Sequence, residues 1–193
     1  TKFDESIDLS MVINQKQTKG GDFNLRTVVK LPEGSGKKFK VAVLCEADKI
    51  EEAKQSGAEI FGSDDLIEKI AASKFNFQKL ICTPGMMGKL GKHGKVLGPK
   101  GLMPNPKLGT VSNNIKKSVQ DIKNGLVEIK NDKDGNLAST IGRKSFSNEK
   151  LIKNFIFFID SIKKEKPDAM KGELIKNIYL TSSMGISYKL NTR

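Results

Sequence analysis

Between Gly85 and Lys107 the chain reads GMMGKLGKHGKVLGPKGLMPNPK, 23 residues with six glycines, five lysines, three prolines and no acid. Glycines expose backbone N–H groups and permit close approach, while interleaved lysines neutralise phosphates without demanding bidentate geometry. Lys89, Lys92, Lys95, Lys100 and Lys107 are therefore candidate contacts to a nucleic-acid backbone. A nucleotide site is the sharper competitor, but G-x-x-x-x-G-K-[ST] matches nowhere and no G-x-G-x-x-G opens a helix. Catalysis finds no support in the residues. His93 is the only histidine and has no carboxylate close in sequence to orient it, no serine sits in a G-x-S-x-G elbow, and no cysteine has a histidine in its segment. No enzyme, catalytic residue or cofactor is expected. Cys45 and Cys82 lie outside any C-x-x-C or Cys/His cluster, so they read as buried reduced thiols rather than metal ligands. Thr181-Ser182-Ser183-Met184-Gly185 is a quieter candidate: hydroxyls, a thioether and a glycine at a strand end, which by composition alone fit an ordinary turn.

Charge supports a polyanionic partner. The 193 residues carry 34 Lys and Arg against 22 Asp and Glu, a formal net charge of +12, which favours nucleic acid over a membrane surface. The excess is local. Thr1 to Glu68 holds ten basic and thirteen acidic residues, Lys69 to Gln120 ten lysines and no acid, and Asp121 to Arg193 fourteen basic and nine acidic. A 52-residue window without a carboxylate is more than the solvated face that charge runs usually signify. No apolar run approaches the roughly 20 residues needed to cross a bilayer, and no basic-then-apolar leader opens the chain, so neither a membrane-integral nor a secreted protein is expected.

The elements that must position these residues follow from periodicity. Phe3 to Met11 alternates, with Phe3, Ile7, Leu9 and Met11 on one face and Asp4, Ser6, Asp8 and Ser10 on the other, as in a half-buried strand. Leu25 to Leu31 is a second strand, ending in the linker Pro32-Glu33-Gly34-Ser35-Gly36. The rhythm then becomes strand (39–45), helix (47–56), short strand (58–61), helix (64–72, capped by Ser63) and strand (79–83), the pattern of a parallel sheet with right-handed crossovers. The basic segment then emerges as a loop at the carboxyl edge of that sheet, where open α/β folds bind ligands. A helix over 113–123 closes on Gly125. Strands at 126–131 and 136–141 around Asp132-Lys133-Asp134-Gly135 read as a hairpin. Ser147 caps a helix to about Lys164, with Leu151, Phe155, Phe158, Ile159 and Ile162 forming a core stripe, and a strand over 174–182 follows. The expectation is an α/β protein of two domains: a split α+β domain built from both termini, 1–35 and 126–193, and an inserted Rossmann-like three-layer α/β domain, 36–125.

GKVLGPKGLMPNPKLGTV, Gly94 to Val111, closely resembles the signature of the large-subunit ribosomal protein L-one family, the protein of the mobile stalk beside the exit site. The resemblance continues through KFDES (2–6), RTVVKLPEGSGK (26–37), KNDKDG (130–135) and SSMG (182–185). It implies two hinge strands between the domains, a split domain that grips large-subunit rRNA, and an inserted domain facing stalk RNA and departing exit-site tRNA. By carry-over, Lys2, Phe3, Asp132, Lys133, Ser183, Met184 and Gly185 become rRNA contacts. For bacterial members it also implies repression of their own operon mRNA by mimicry of the rRNA site. Family members begin with a further N-terminal helical segment, so with Thr1 first the chain is expected to be part of a longer protein. The stretch from Val12 to Phe23 departs from the family pattern, Ser183 stands where threonine is common, and Ile186 where proline is. Thirty-one lysines to three arginines suggest an AT-rich genome, so the expected location is a bacterial ribosome in the cytoplasm or, alternatively, an organellar one.

Overall fold

The computed structural model describes residues 1–14, 25–37, 39–72, 75–106, 109–167 and 172–191. In chain order its elements are β1 (Ser6–Ile13), β2 (Arg26–Lys30), β3 (Val41–Leu44), a 3-10 turn (Ala47–Lys49) leading into α1 (Ile50–Gln55), β4 (Ile60–Gly62), α2 (Asp64–Ala71), β5 (Lys79–Cys82), α3 (Pro84–Gly91), α4 (Gly94–Leu97), α5 (Ile115–Lys123), β6 (Leu126–Lys130), β7 (Asn136–Arg143), α6 (Asn148–Lys164), β8 (Ile175–Ser182) and β9 (Tyr188–Leu190). They gather into two compact units, 1–37 with 124–193, and 38–123. The fold is mixed α/β.

In the split unit, β7, β1, β8 and β9 form one sheet in that order, and β2 and β6 form a separate antiparallel pair. Alternation in β1 buries Leu9, Met11 and Ile13, which join Leu137 and Ile141 of β7, Ile178 of β8 and the α6 stripe of Phe158, Ile159 and Ile162 in one core. The alternation signalled by Phe3 is not used as far as Phe3: β1 starts at Ser6. The residues before it are fastened elsewhere, because Asp4 Oδ1 and Oδ2 accept hydrogen bonds from the Ser145 amide and hydroxyl at 3.0 and 2.9 Å.

The expected 126–141 hairpin does not form as a ladder. Its turn is present, with the Asp132 amide donating to the Asn136 carbonyl at 2.9 Å, but β6 pairs with β2 and β7 with β1. Long-range partners win because β1 offers β7 a ladder from Ser6 to Val12 and the burial of Leu137 and Ile141 with it, more than a two-strand hairpin can bury alone. Gly125 stands at φ +99, where an added Cβ would meet the Gly34 Cα at 2.5 Å. The chain can pass itself there only as glycine.

Asn154 ties this unit together. Fully buried on α6, it accepts from the Glu33 amide at 3.1 Å and donates to the carbonyls of Gly34 at 2.9 Å and Ile141 at 2.8 Å.

The inserted unit holds a parallel sheet in the order β4-β3-β5. All four residues of β3 are buried, as expected of a strand covered on both faces. Ala42, Leu44, Leu80 and Cys82 pack with Leu66 and Ile70 of α2, Met86 and Leu90 of α3 and Leu97 of α4. Neither Ser63 nor Ser147 makes a side-chain cap to its helix. Asn114 does cap α5, accepting from the Lys117 amide at 3.1 Å. Cys45 and Cys82 are free and buried; burial pushes the Cys82 thiol up to about 11 and raises Cys45 as well.

Candidate nucleic-acid interface

The basic segment is helical where an open loop was expected. Pro84 opens α3 directly after β5, and Met86 and Leu90, four residues apart, are buried beneath it. Each glycine in a helix costs about 1 kcal/mol relative to alanine, but burying a Met or Leu contributes about 1.5–3 kcal/mol, so the tertiary term prevails. The acid-free window is also not acid-free in space. Lys89 Nζ sits 2.8 and 3.1 Å from the Asp64 carboxylate oxygens, and a Cβ on Gly85 would overlap the Glu46 carboxylate. Glu46 therefore stands at the carboxyl edge of β3, against the start of α3, where a nucleotide phosphate would have to approach. Its charge opposes one.

Lys92 and Lys95 are exposed and have no side-chain partner among the described residues. Lys100 lies over the Phe75 ring, 4.4 Å from its centroid, and Phe75 stacks on Phe77 at 4.8 Å. Lys107 and most of the Val12 to Phe23 stretch lie outside the described residues.

In the split unit the two ends of the chain meet. β1 pairs with β8 so that Ile7 lies opposite Ser182, and the Ser183 amide donates to the Ser6 carbonyl at 3.1 Å. The Ser6 amide donates in return to Ser183 Oγ at 3.1 Å. Phe3, 55% exposed, precedes this junction and Met184, 73% exposed, follows it. The next turn is closed by the Gly185 amide on the Ser182 carbonyl at 3.1 Å, and a Cβ at Gly185 would overlap the Ser182 hydroxyl. Buried Glu5 lies beneath; hydrogen bonds from the Thr1 and Ser182 hydroxyls and the charge of Lys144 hold its carboxyl below the usual range. Lys2 is exposed on the approach. The sequence reading missed Ser6, which lies within KFDES.

Asp132 and Lys133 are not brought to this junction. Their turn meets β1 at its other end, where the Ile13 amide donates to the Gly135 carbonyl at 2.7 Å. The intervening run from Ser6 to Val12 spans roughly 20 Å at about 3.4 Å per residue. Asp132 organises the turn itself: Oδ1 accepts from the amides of Asp134 at 3.0 Å and Asn136 at 2.6 Å, and Oδ2 from the Asn136 side chain at 3.1 Å. Bonds from Asn136, backbone then side chain, hold the Asp132 carboxyl below its ordinary 3.8. A carboxyl depressed in the folded state stabilises it above the unfolded value and loses that contribution as pH falls through the folded one. Asp132→Asn should therefore lower stability near neutral pH, with the deficit closing as pH falls below about 4; urea midpoints measured across that range check it. A deficit constant with pH would show that the charge contributes nothing.

Among the described residues no group of His, Cys, Asp and Glu could hold a metal ion, and no helix is long and apolar enough to cross a membrane. The arrangement is thus a hydroxyl-lined junction flanked by exposed apolar side chains on one unit, and exposed lysines on the other. The ribosomal protein L1p/L10e family model matches residues 1–186. The protein named large ribosomal subunit protein uL1 of Pelagibacter ubique (strain HTCC1062) is 62% identical over 191 residues, 98% of this chain and 83% of that protein. Proteins of the same name are 45% identical in Kosmotoga olearia (strain ATCC BAA-1733 / DSM 21960 / TBF 19.5.1), with 98% of this chain and 82% of that one covered, and 43% identical in Rickettsia canadensis (strain McKiel), with 98% and 79% covered. With a model matched over nearly its whole length and relatives aligned end to end with it, the chain belongs to the ribosomal protein L1p/L10e family, a family of ribosomal proteins rather than enzymes.

Proposed function

We propose that this chain is a structural component of the large subunit of a bacterial ribosome, that its split unit, built from both ends of the chain, binds large-subunit rRNA at the Ser6–Ser183 junction, and that its inserted unit faces stalk RNA and departing exit-site tRNA. The observation that carries the reading is the junction itself, where the Ser6 hydroxyl on β1 and the Ser183 hydroxyl in the turn after β8 meet next to exposed Phe3 and Met184. RNA is distinguished by its 2′-hydroxyls and by unstacked bases, which call for fixed hydrogen-bonding groups and aromatic or apolar surface rather than charge alone. Lys2 adds charge at this site. Lys133, at the far end of β1, would meet a separate stretch of the same RNA, with Asp132 shaping its turn. The operon mRNA is the second ligand of the same junction, so it should compete with rRNA.

Lys92 and Lys95 supply the sequence-independent part on the inserted unit. Replacing both with Gln should reduce the slope of log affinity against log salt by about 0.7–0.9 per lysine that touches a phosphate, with rRNA preference retained. Lys89→Gln should change the slope less, because Asp64 already offsets that charge. Titrating stalk rRNA and deacylated tRNA over a salt series tests both, and an unchanged slope in the double variant would remove these lysines from the interface.

A further inference from the structure

The positive charge of the inserted unit is partly cancelled from within. Lys89 lies in the last turn of α3 and Asp64 opens α2, yet the fold sets the Lys89 ammonium astride both carboxylate oxygens of Asp64, at 2.8 and 3.1 Å. Lys100 is engaged differently. It rests on the Phe75 ring, which carries no net charge, so its attraction for a phosphate survives. Of Lys89, Lys92, Lys95 and Lys100, Lys89 alone has a carboxylate against its ammonium among the described residues. The side chains of Lys89 and Asp64 are 57% and 66% exposed, so water and salt loosen the pair and a polyanion can compete for the lysine.

Ion accounting decides what that competition yields. A free lysine that meets a phosphate releases the cation condensed there, and this release supplies both the affinity and its dependence on salt. Lys89 has first to leave Asp64, whose carboxylate then draws in a cation from solution or, staying close, repels the phosphate. Gain and loss nearly cancel.

We propose that Asp64 limits the affinity of the inserted unit for nucleic acid by withholding Lys89 in an internal ion pair, so that its hold on a passing RNA stays weak and tolerant of salt. This rests on the reading of that unit as facing RNA and tRNA. Lys92 and Lys95 supply the contact, Lys89 is the charge held in reserve, and Asp64 sets its share without touching the RNA.

The test titrates the whole chain with deacylated tRNA and with an unrelated RNA duplex over a salt series. A lysine–phosphate contact reads no sequence, so the two RNAs should respond alike. Asp64→Asn should tighten binding about fivefold near 0.1 M salt, the factor that a slope of about 0.7 for one added contact gives between roughly 1 M and 0.1 M, and should steepen the slope by that amount. Asp65→Asn makes the same change of net charge at the next exposed position without freeing Lys89, and should tighten binding by less than about twofold once salt screens it. Adding Lys89→Gln to Asp64→Asn should remove the gain, whereas Lys89→Gln alone should cost less than about twofold. Melts run alongside identify a variant that fails to fold, and Asp64→Ser carries the same prediction should Asp64→Asn be that variant. Equal gains from Asp64→Asn and Asp65→Asn, a gain that survives Lys89→Gln, or no gain while Lys92→Gln/Lys95→Gln still lowers the slope would each overturn the role of Asp64 and leave the inserted unit facing RNA. If Asp64→Asn and the Lys92/Lys95 variant all leave the slope unchanged, the reading of the inserted unit falls and the role of Asp64 with it.

Discussion

Asn154→Ala should lower the unfolding free energy of the split unit by about 3 kcal/mol, since a buried polar group left without its partner costs roughly 1–3 kcal/mol and this change orphans three. The Ile141 carbonyl is buried; Glu33 and Gly34 are half-buried, so water recovers part of the loss at those two. Asn154→Asp is the informative companion. It keeps an acceptor for the Glu33 amide but turns the group that donates to Gly34 and Ile141 into a second acceptor, buried and charged, so it should be at least as damaging. Urea denaturation followed by circular dichroism checks both. A loss under about 1 kcal/mol for either variant would mean that the 33–34 turn is held by something other than this amide.

Asn154 also shows what was legible in the sequence and what was not. A polar residue three positions after Leu151 and four before Phe158 sits on the apolar stripe of its helix, and such a residue is retained inside a core only if its hydrogen bonds are met. That signal was present and unused. The alternation of β1, the β-α-β rhythm of residues 39–83 and the stripe of α6 were readable because each is a local period imposed by one buried face. The helical start of the basic segment was not: its glycines argue locally against a helix, Pro84 at the first position fits a helix start as well as a loop, and the burial of Met86 and Leu90 in the core of the inserted unit decides it. The failed hairpin has the same origin, since turn chemistry specifies the turn and says nothing about which edge each strand will find. The pairing of Lys89 with Asp64, across 25 residues, and of Ser6 with Ser183, across 177, has no local period to betray it. For the junction the family resemblance pointed to residues 2–3 and 183–185 where composition could not, but the part of Ser6 emerges only from the register of β1 against β8.

Ser183→Val should weaken binding to stalk rRNA more than about tenfold at every salt concentration. The substitution replaces a hydroxyl with a larger, wholly apolar side chain, so the Ser6 amide loses its acceptor and the RNA hydroxyl its partner together, and an unmade hydrogen bond in a dry interface costs about 1–3 kcal/mol, more than one exposed charge contributes. Salt screens charges and leaves this loss unchanged, so the wild-type and variant lines of log affinity against log salt should run parallel. The lysine variants should instead change slope. Ser183→Val also costs some stability, because Ser6 and Ser183 fasten the two ends of the chain; melts separate that cost from affinity. Ser183→Thr, which keeps the hydroxyl, should bind within about threefold of wild type.

The measurement that bears most directly on the function proposed here is equilibrium binding of the whole chain to a transcribed stalk segment of large-subunit rRNA, set against an unrelated RNA duplex of equal length at near-physiological salt. A surface that reads RNA through fixed hydroxyls and apolar side chains predicts a preference for the stalk segment of roughly a hundredfold, in the range expected of specific over non-specific recognition, and predicts that Ser183→Val removes a tenfold share of it while Lys92→Gln/Lys95→Gln removes almost none. Equal affinity for the two RNAs, with both variants weakening them alike, would mean that the chain holds RNA only as a polycation, and would contradict the proposal.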